Sequence, residues 1–185
     1  EVFHSARWRH DVSLAGKRVG VIGTGASAIQ IVPAIAPECA ALTLFQRTPA
    51  WIIPRDDKAV SAETQARFAR SPWRQRWERW KIYAKFEVRV LALARYVGLL
   101  RRAEKDVKRF IAYRVKDPVL VEKLTPKYTL GCKRILLSDT FYPALTKPNV
   151  RLVDSAVVAA TPTGVITADG QEHELDVRSE ERRVG

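Results

Sequence analysis

The hexapeptide Gly23-Thr24-Gly25-Ala26-Ser27-Ala28 constrains this chain more than any other stretch. On its own a G-x-G-x-x-A pattern is weak, and its value comes from the flanks. Lys17 to Ile22 is a short apolar run that reads as a strand. Ala26 to Ala36 reads as a helix with small residues at its start, Pro37 helping to end it and Pro33 implying a kink. Ala41 to Gln46 reads as a second strand. Strand, glycine turn, helix and strand within about 30 residues is the size of a βαβ unit. Each small residue then has a task. Gly23 permits the tight turn, Gly25 lets a backbone approach a pyrophosphate, and Ala28 keeps the helix close to the strand. The helix N-terminus offers its N–H groups to the anion.

The end of the second strand selects among dinucleotides. An Asp or Glu there would bind the ribose 2′-hydroxyl of NAD. This chain has Gln46-Arg47-Thr48 instead. A carboxylate would repel a 2′-phosphate, whereas the guanidinium fork of Arg47 binds one bidentately and Thr48 donates a hydroxyl. The spacing therefore favours NADP(H) over NAD(H).

Beyond this unit, Ser61 to about Lys123 is predicted helical with breaks near Ser71-Pro72 and Asp117-Pro118. Val150 to Val153 reads as a strand, and Gly164 to Val177 as a hairpin turning at Asp169-Gly170. With 46% apolar and 28% charged residues, the chain is that of a protein with a buried core, not a disordered linker. The net charge is +12, and residues 67–109 hold 14 Lys/Arg against 4 Asp/Glu, a local excess of +10. Trp73, Trp77 and Trp80 lie in the same stretch. Basic, aromatic-rich segments bind nucleic acid or anionic membranes. The simpler expectation is a helical insertion with solvated cations, whose tryptophans, with Ala84, Val88 and Leu91, form the core-facing stripe at i, i+4, i+7.

Other chemistry is thinner. The run Val88 to Leu100 is broken by Arg89 and Arg95 and falls short of the roughly 18 residues that span a bilayer. Cys39 and Cys132 have no triad pattern around them, make no disulfide framework, and as free thiols suit a reducing cytosol. His4, His10 and His173 lack metal-ligand spacing, so no metal is expected. Lys133-Arg134, without further context, reads as two more cations of a basic protein.

Several linked motifs resemble one family. His4-Ser5-Ala6-Arg7-Trp8 is similar to the second half of the Baeyer–Villiger monooxygenase signature F-x-G-x-x-x-H-x-x-x-W. LAGKRVGVIGTGASAIQIVP, LFQRTPAWIIPR, a helical insertion, GCKRILLSDTFYPAL and Lys147-Pro148-Asn149-Val150 follow in the family's order, so the resemblance covers about residues 1–177. It implies an α/β fold: a Rossmann-like NADP-binding domain with a helical insertion, part of a flavoprotein with two dinucleotide-binding domains. It implies a pyrophosphate loop at Gly23, Thr24, Gly25, Ser27 and Ala28. Arg47, Thr48 and Lys133 become readers of the 2′-phosphate. Arg134 becomes the catalytic arginine facing flavin and nicotinamide, and His4 and Trp8 become conformational residues of an inter-domain linker. The implied cofactors are FAD and NADP(H), and the implied partners are O2 and a small organic substrate, a ketone or a soft nitrogen or sulfur centre, oxygenated through a C4a-peroxyflavin.

The expected boundaries are a linker at 1–16, the NADP-binding domain at 17–60 and 128–177, and the insertion at 61–127. Residues 178–185, RSEERRVG, look like a translated sequencing adapter and are expected to be a non-native tail. The chain has no Met and opens mid-phrase, so an internal piece of a longer, cytoplasmic enzyme is expected, inactive by itself. Two other readings are an NADPH-dependent flavin oxidoreductase that oxygenates nothing and, from a different class, a Trp/Arg-rich module for nucleic acid or membrane surfaces. The glycine loop with Arg47 favours the monooxygenase, since such a module has no use for it.

Overall fold

The computed structural model describes residues 1–180, apart from the side chains of 89–95, 97 and 180. Five parallel strands make its main sheet: β1 (Val2–His4), β2 (Arg18–Ile22), β3 (Ala41–Phe45), β6 (Val150–Val153) and β10 (Val177–Glu180), in the order β1-β10-β2-β3-β6. Parallel strands covered on both faces need near-continuous apolar runs. RVGVI and ALTLF supply them, and Val19, Val21, Leu42 and Leu44 are buried. Between β2 and β3 runs helix α1 (Ala28–Ile35), whose Ala28, Ile29, Val32 and Ile35 are buried. Asn149 donates to the carbonyls of Ala36 (2.8 Å) and Cys39 (3.0 Å), fastening the end of this helix to the start of β6. Since β10 lies on one side of β2 and β3 on the other, the carboxyl end of β2 is a topological switch point, where open α/β sheets bind ligands.

A short parallel pair, β4 (Ile52–Ile53) with β5 (Leu136–Leu137), and an antiparallel ribbon of β7 (Val157–Ala160), β8 (Gly164–Thr167) and β9 (Glu172–Glu174) complete the strands. The ribbon contains the expected hairpin, with Gly170 at φ +80° and Asp169 accepting from the Thr167 hydroxyl at 2.6 Å. Its third strand, β7, was not foreseen. The helices are α2 (Ala62–Arg70), α3 (Pro72–Arg95), α4 (Val97–Val115), α5 (Pro118–Leu124) and α6 (Phe141–Leu145). The breaks at Pro72 and Pro118 fall as expected, and a further one occurs at Tyr96.

The chain divides into two compact units, one of Glu1–Arg55 with the residues from Val107 onward, the other of Asp56–Asp106. The insertion is therefore shorter than the expected 61–127. Residues 107–127 belong to the sheet-bearing unit, because Val107, Ile111, Val115 and Leu124 are buried there and Phe110 packs edge-on to Tyr142 at 5.9 Å. In the second unit, Ser61 caps α2 by accepting from Thr64 N at 3.2 Å. The expectation of core tryptophans fails here. Trp73, Trp77 and Trp80 keep 77%, 58% and 57% of their surface exposed. Their spacing gives one helix face, as read, but no element of the unit covers it.

Part of the expected non-native tail lies in the sheet: Arg178 to Glu180 extend the strand begun by Val177, pairing with both β1 and β2. Residues 181–185 lie outside the described residues. The main-chain ladder accepts any side chain, but an inner parallel strand is a poor place for RSE. The Ser179 hydroxyl and Arg178 Nε are buried without a hydrogen-bond partner. Leaving a buried hydroxyl unpaired costs about 1–3 kcal/mol. Ser179→Val is therefore expected to raise the thermal midpoint, a change that calorimetry would register; a lowered midpoint would contradict the burial.

At the entrance to β10, Asp176 accepts from the backbone N–H of Arg18 (2.8 Å) and from its guanidinium (3.0 Å), while Glu174 pairs with the same guanidinium. The Arg18 bonds hold the Asp176 carboxyl down at about 2. Because the folded carboxyl ionises below its unfolded counterpart, this stabilisation is complete above the ordinary carboxylate range and fades as the pH falls towards about 2. Asp176→Asn is expected to flatten the acid limb of a denaturant-midpoint profile between about pH 4 and 2. An unchanged limb would show the pair to be idle.

Candidate cofactor-binding site

The site forms at the carboxyl end of β2. Gly23 sits at φ +109°, a conformation that strains any residue with a Cβ, and its N–H donates to Phe45 O at 3.0 Å. Thr24 Oγ1 donates to Thr48 O at 3.0 Å, so the glycine turn is tied directly to the segment after β3. Ile29 N–H reaches Gly25 O at 3.2 Å to start α1, and Ser27 at the cap position places no side-chain oxygen on the first turn. The positive end of the helix dipole lies directly behind the glycine turn.

A cleft of about 580 Å³ opens there. The glycine turn (Gly23 to Ala26) forms one wall, and Arg47, Thr48 and Pro49 continue from it. Lys133 and Arg134 arrive on the loop preceding β5, while Ser155 to Val157 close the far side. Among the described residues lining it, three are cations and none is a carboxylate. Lys133 is positioned by an aromatic stack: its Nζ lies 4.6 Å above the Tyr128 ring, Tyr128 meets Trp51 edge-on at 6.3 Å, and Trp51 Nε1 donates to Tyr128 O at 3.0 Å. Trp51 is buried, which anchors the stack, and burial pushes the Tyr128 hydroxyl up from its usual range. Next to Arg47, the buried Gln46 donates to Lys123 O at 2.8 Å and fixes the end of β3.

Of the residues singled out from the sequence, Gly23, Thr24, Gly25, Arg47, Thr48, Lys133 and Arg134 line this one cleft. Ser27 and Ala28 do not; Ala28 is buried under the turn, in keeping with close helix–strand packing. His4 and Trp8 stand apart. His4 Nδ1 accepts from Ala6 N at 3.1 Å to cap the turn Ser5–Arg7, and Trp8 packs edge-on to Phe3 at 4.9 Å. Cys39 is buried, its thiol pushed up to about 11 by that burial, and Cys132 is exposed. Tyr128, Trp51 and Ser155 were missed. An aromatic five residues before Lys133 was the available signal for the first; nothing local marked Ser155.

No family model matches the chain. A Baeyer–Villiger monooxygenase of Streptomyces coelicolor, however, is 49% identical over 176 residues, 95% of this chain and 34% of the relative. The chain is similar to one part of the Baeyer–Villiger monooxygenases. It spans about a third of the length of such curated relatives. Solved structures agree. An oxidised steroid monooxygenase bound to NADP superposes with a TM-score of 0.83 at 30% identity, covering 97% of this chain and 41% of that one. A complex of OTEMO with FAD and NADP gives 0.77 at 30% identity, with 97% and 42% covered. The mixed α/β fold with its parallel sheet is thus shared with part of these monooxygenase structures.

Proposed function

We propose that this chain is the NADP(H)-binding segment of an FAD-dependent monooxygenase of the Baeyer–Villiger type. The observation that carries the reading is the carboxylate-free cleft, in which a left-handed glycine turn, Arg47 and Lys133 share one wall system. A dinucleotide phosphate fits these groups by chemistry: backbone N–H groups for the pyrophosphate, and a guanidinium, a hydroxyl and an ammonium for the 2′-phosphate.

In this reading Gly23, Thr24 and Gly25 hold the pyrophosphate and Arg47, Thr48 and Lys133 the adenosine phosphate. Arg134 holds a fixed positive charge at the nicotinamide end. NADPH held by these residues would supply hydride to a flavin, and the flavin would supply the electrons for transfer of one oxygen atom from O2. The chain's own part is to bind, to orient, and to present Arg134. Guanidinium stays charged at any reachable pH, so burial by cofactor and substrate would not neutralise it. A ketone or a soft nitrogen or sulfur centre is the proposed substrate class and the cytosol the proposed site of action, in line with a free, exposed Cys132.

The test is titration of the 185-residue chain with reduced cofactors. NADPH is expected to bind more tightly than NADH and to remain unoxidised, with or without added FAD. Equal affinity for both, or NADPH turnover by this chain with free FAD, would overturn the assignment.

A further inference from the structure

We propose that the tryptophan-bearing face of α3 docks on an anionic lipid surface, lying in its interfacial plane. The proposal rests on the second compact unit alone. Trp73, Trp77 and Trp80 stand at i, i+4 and i+7 on one face, each more than half exposed, and Val88 continues that face along the helix. Contiguous aromatic area of this extent normally meets a partner.

The chemistry of that partner follows from the charges around it. Helix α3 carries seven Lys/Arg against two Asp/Glu. On a helical projection Arg74, Lys81 and Lys85 border the stripe on one side and Arg76 on the other, with Arg76 5.9 Å over the Trp73 ring; Lys81 pairs with Glu78 at 2.6 Å, and Glu87 is the one carboxylate on the stripe itself. Indoles in the centre with cations at both margins are the features of a helix lying in a lipid interface: rings enter the headgroup boundary and cations meet phosphates. A spanning role is not at issue, since no helix among the described residues is long and apolar enough to cross a membrane.

A second observation lies at the same end of the helix. Where α2 meets α3, Arg67, Arg70 and Arg74 line a recess of about 450 Å³ together with Ser71. Glu63 also lines it and holds Arg67 at 2.8 Å. Arg70 and Arg74 remain to engage a phosphate, beside the N-terminus of α3. A lipid headgroup would occupy this recess while its acyl region meets Trp73 and Trp77. Single-stranded nucleic acid fits less well. Trp77 and Trp80 are stacked on each other at 5.2 Å and 18°, which closes the gap a base would need, and the face runs on into the exposed Val88, aliphatic area that stacking does not use.

The experiment is co-sedimentation of the 185-residue chain with vesicles of phosphatidylcholine alone or doped with phosphatidylserine, with indole emission and quenching by brominated lipid read in parallel. Binding is expected to be about tenfold or more tighter to the anionic vesicles and to weaken with salt. Emission should shift to the blue, and brominated lipid should quench it. Replacing Trp73, Trp77 and Trp80 by Ser should abolish the quenching and most of the binding. Replacing Arg70 and Arg74 by Gln, which leaves the aromatic face intact, should reduce the preference for phosphatidylserine. Equal affinity for both vesicles, or quenching unchanged in the Ser variant, would overturn the proposal. So would tighter binding to an oligonucleotide than to vesicles. Binding by this chain that disappears in a longer form of the protein would show the face to be covered by its own polypeptide, and would also overturn it.

Discussion

On the proposed function, Arg134→Ala in the FAD-bearing protein is expected to leave NADPH affinity near its original value while oxygenation falls about 10²–10³-fold, the usual effect of removing one preorganised electrostatic group. The asymmetry comes from position. Arg134 lines the same cleft as the glycine turn, on the loop before β5, one residue beyond the lysine seated on Tyr128. Ground-state affinity in this reading is carried mainly by the phosphate readers on the other walls. A charge that acts on electron density developing during oxygen transfer lowers kcat and kcat/KM together, without moving the dissociation constant of the reduced cofactor. Arg134→Lys should rescue little, because a compact ammonium lacks the planar fork and is the more easily neutralised of the two when desolvated. Product formation under saturating NADPH, set beside a direct binding titration, measures both quantities. A variant that oxygenates at the original rate would remove Arg134 from the chemistry; one that loses binding and turnover in equal measure would make it a cofactor anchor.

Arg47→Ala should do the opposite. Losing a hydrogen bond to a charged group costs roughly 1.5–3 kcal/mol, about 10- to 150-fold in affinity. That loss should fall on NADPH while NADH is scarcely affected, because only the former carries the 2′-phosphate. The segment is well braced for such a subtraction: Thr24 holds Thr48 O, and Gln46 is fixed to Lys123 O, so removing the guanidinium leaves the backbone in place. Equal losses for both cofactors would move Arg47 to the pyrophosphate or to a structural role.

These two residues differ in how far the sequence revealed them. Arg47 sits at the end of a strand that follows a glycine turn and a helix, a purely local arrangement, and its place in the cleft followed from counting along the chain. Arg134 lies some 110 residues beyond Gly23. No periodicity joins them; only the family resemblance did, and the support of Lys133 by Tyr128 and Trp51 was invisible because it is a tertiary stack. The tryptophans of α3 show the reverse failure. Their helical spacing was read correctly, yet a period states which side chains share a face and not whether anything covers that face. The boundary of the insertion slipped for a related reason: Val107 and Ile111 continue a helical pattern without a break, and their burial against the sheet-bearing unit leaves no mark in the pattern. For β10, the likeness of RSEERRVG to a translated adapter argued for a tail, while Val177 and the hydrogen-bonding demand of β1 and β2 drew the next three residues into the sheet.

That strand imposes an order of events on folding. Strand β1 joins the sheet through β10, so the backbone nitrogen of Glu1 donates to Asp176 O across 175 positions of chain. During synthesis at about 5–20 residues per second, β2, α1 and β3 can assemble early, but one edge of β2 stays open until the last described strand emerges. Closure over such a separation is slow by topology, and an open apolar edge is the surface on which nascent chains mispair. The middle of this sheet is therefore its latest part to form, and the step that completes it is entrusted to the strand with the least hydrophobic sequence.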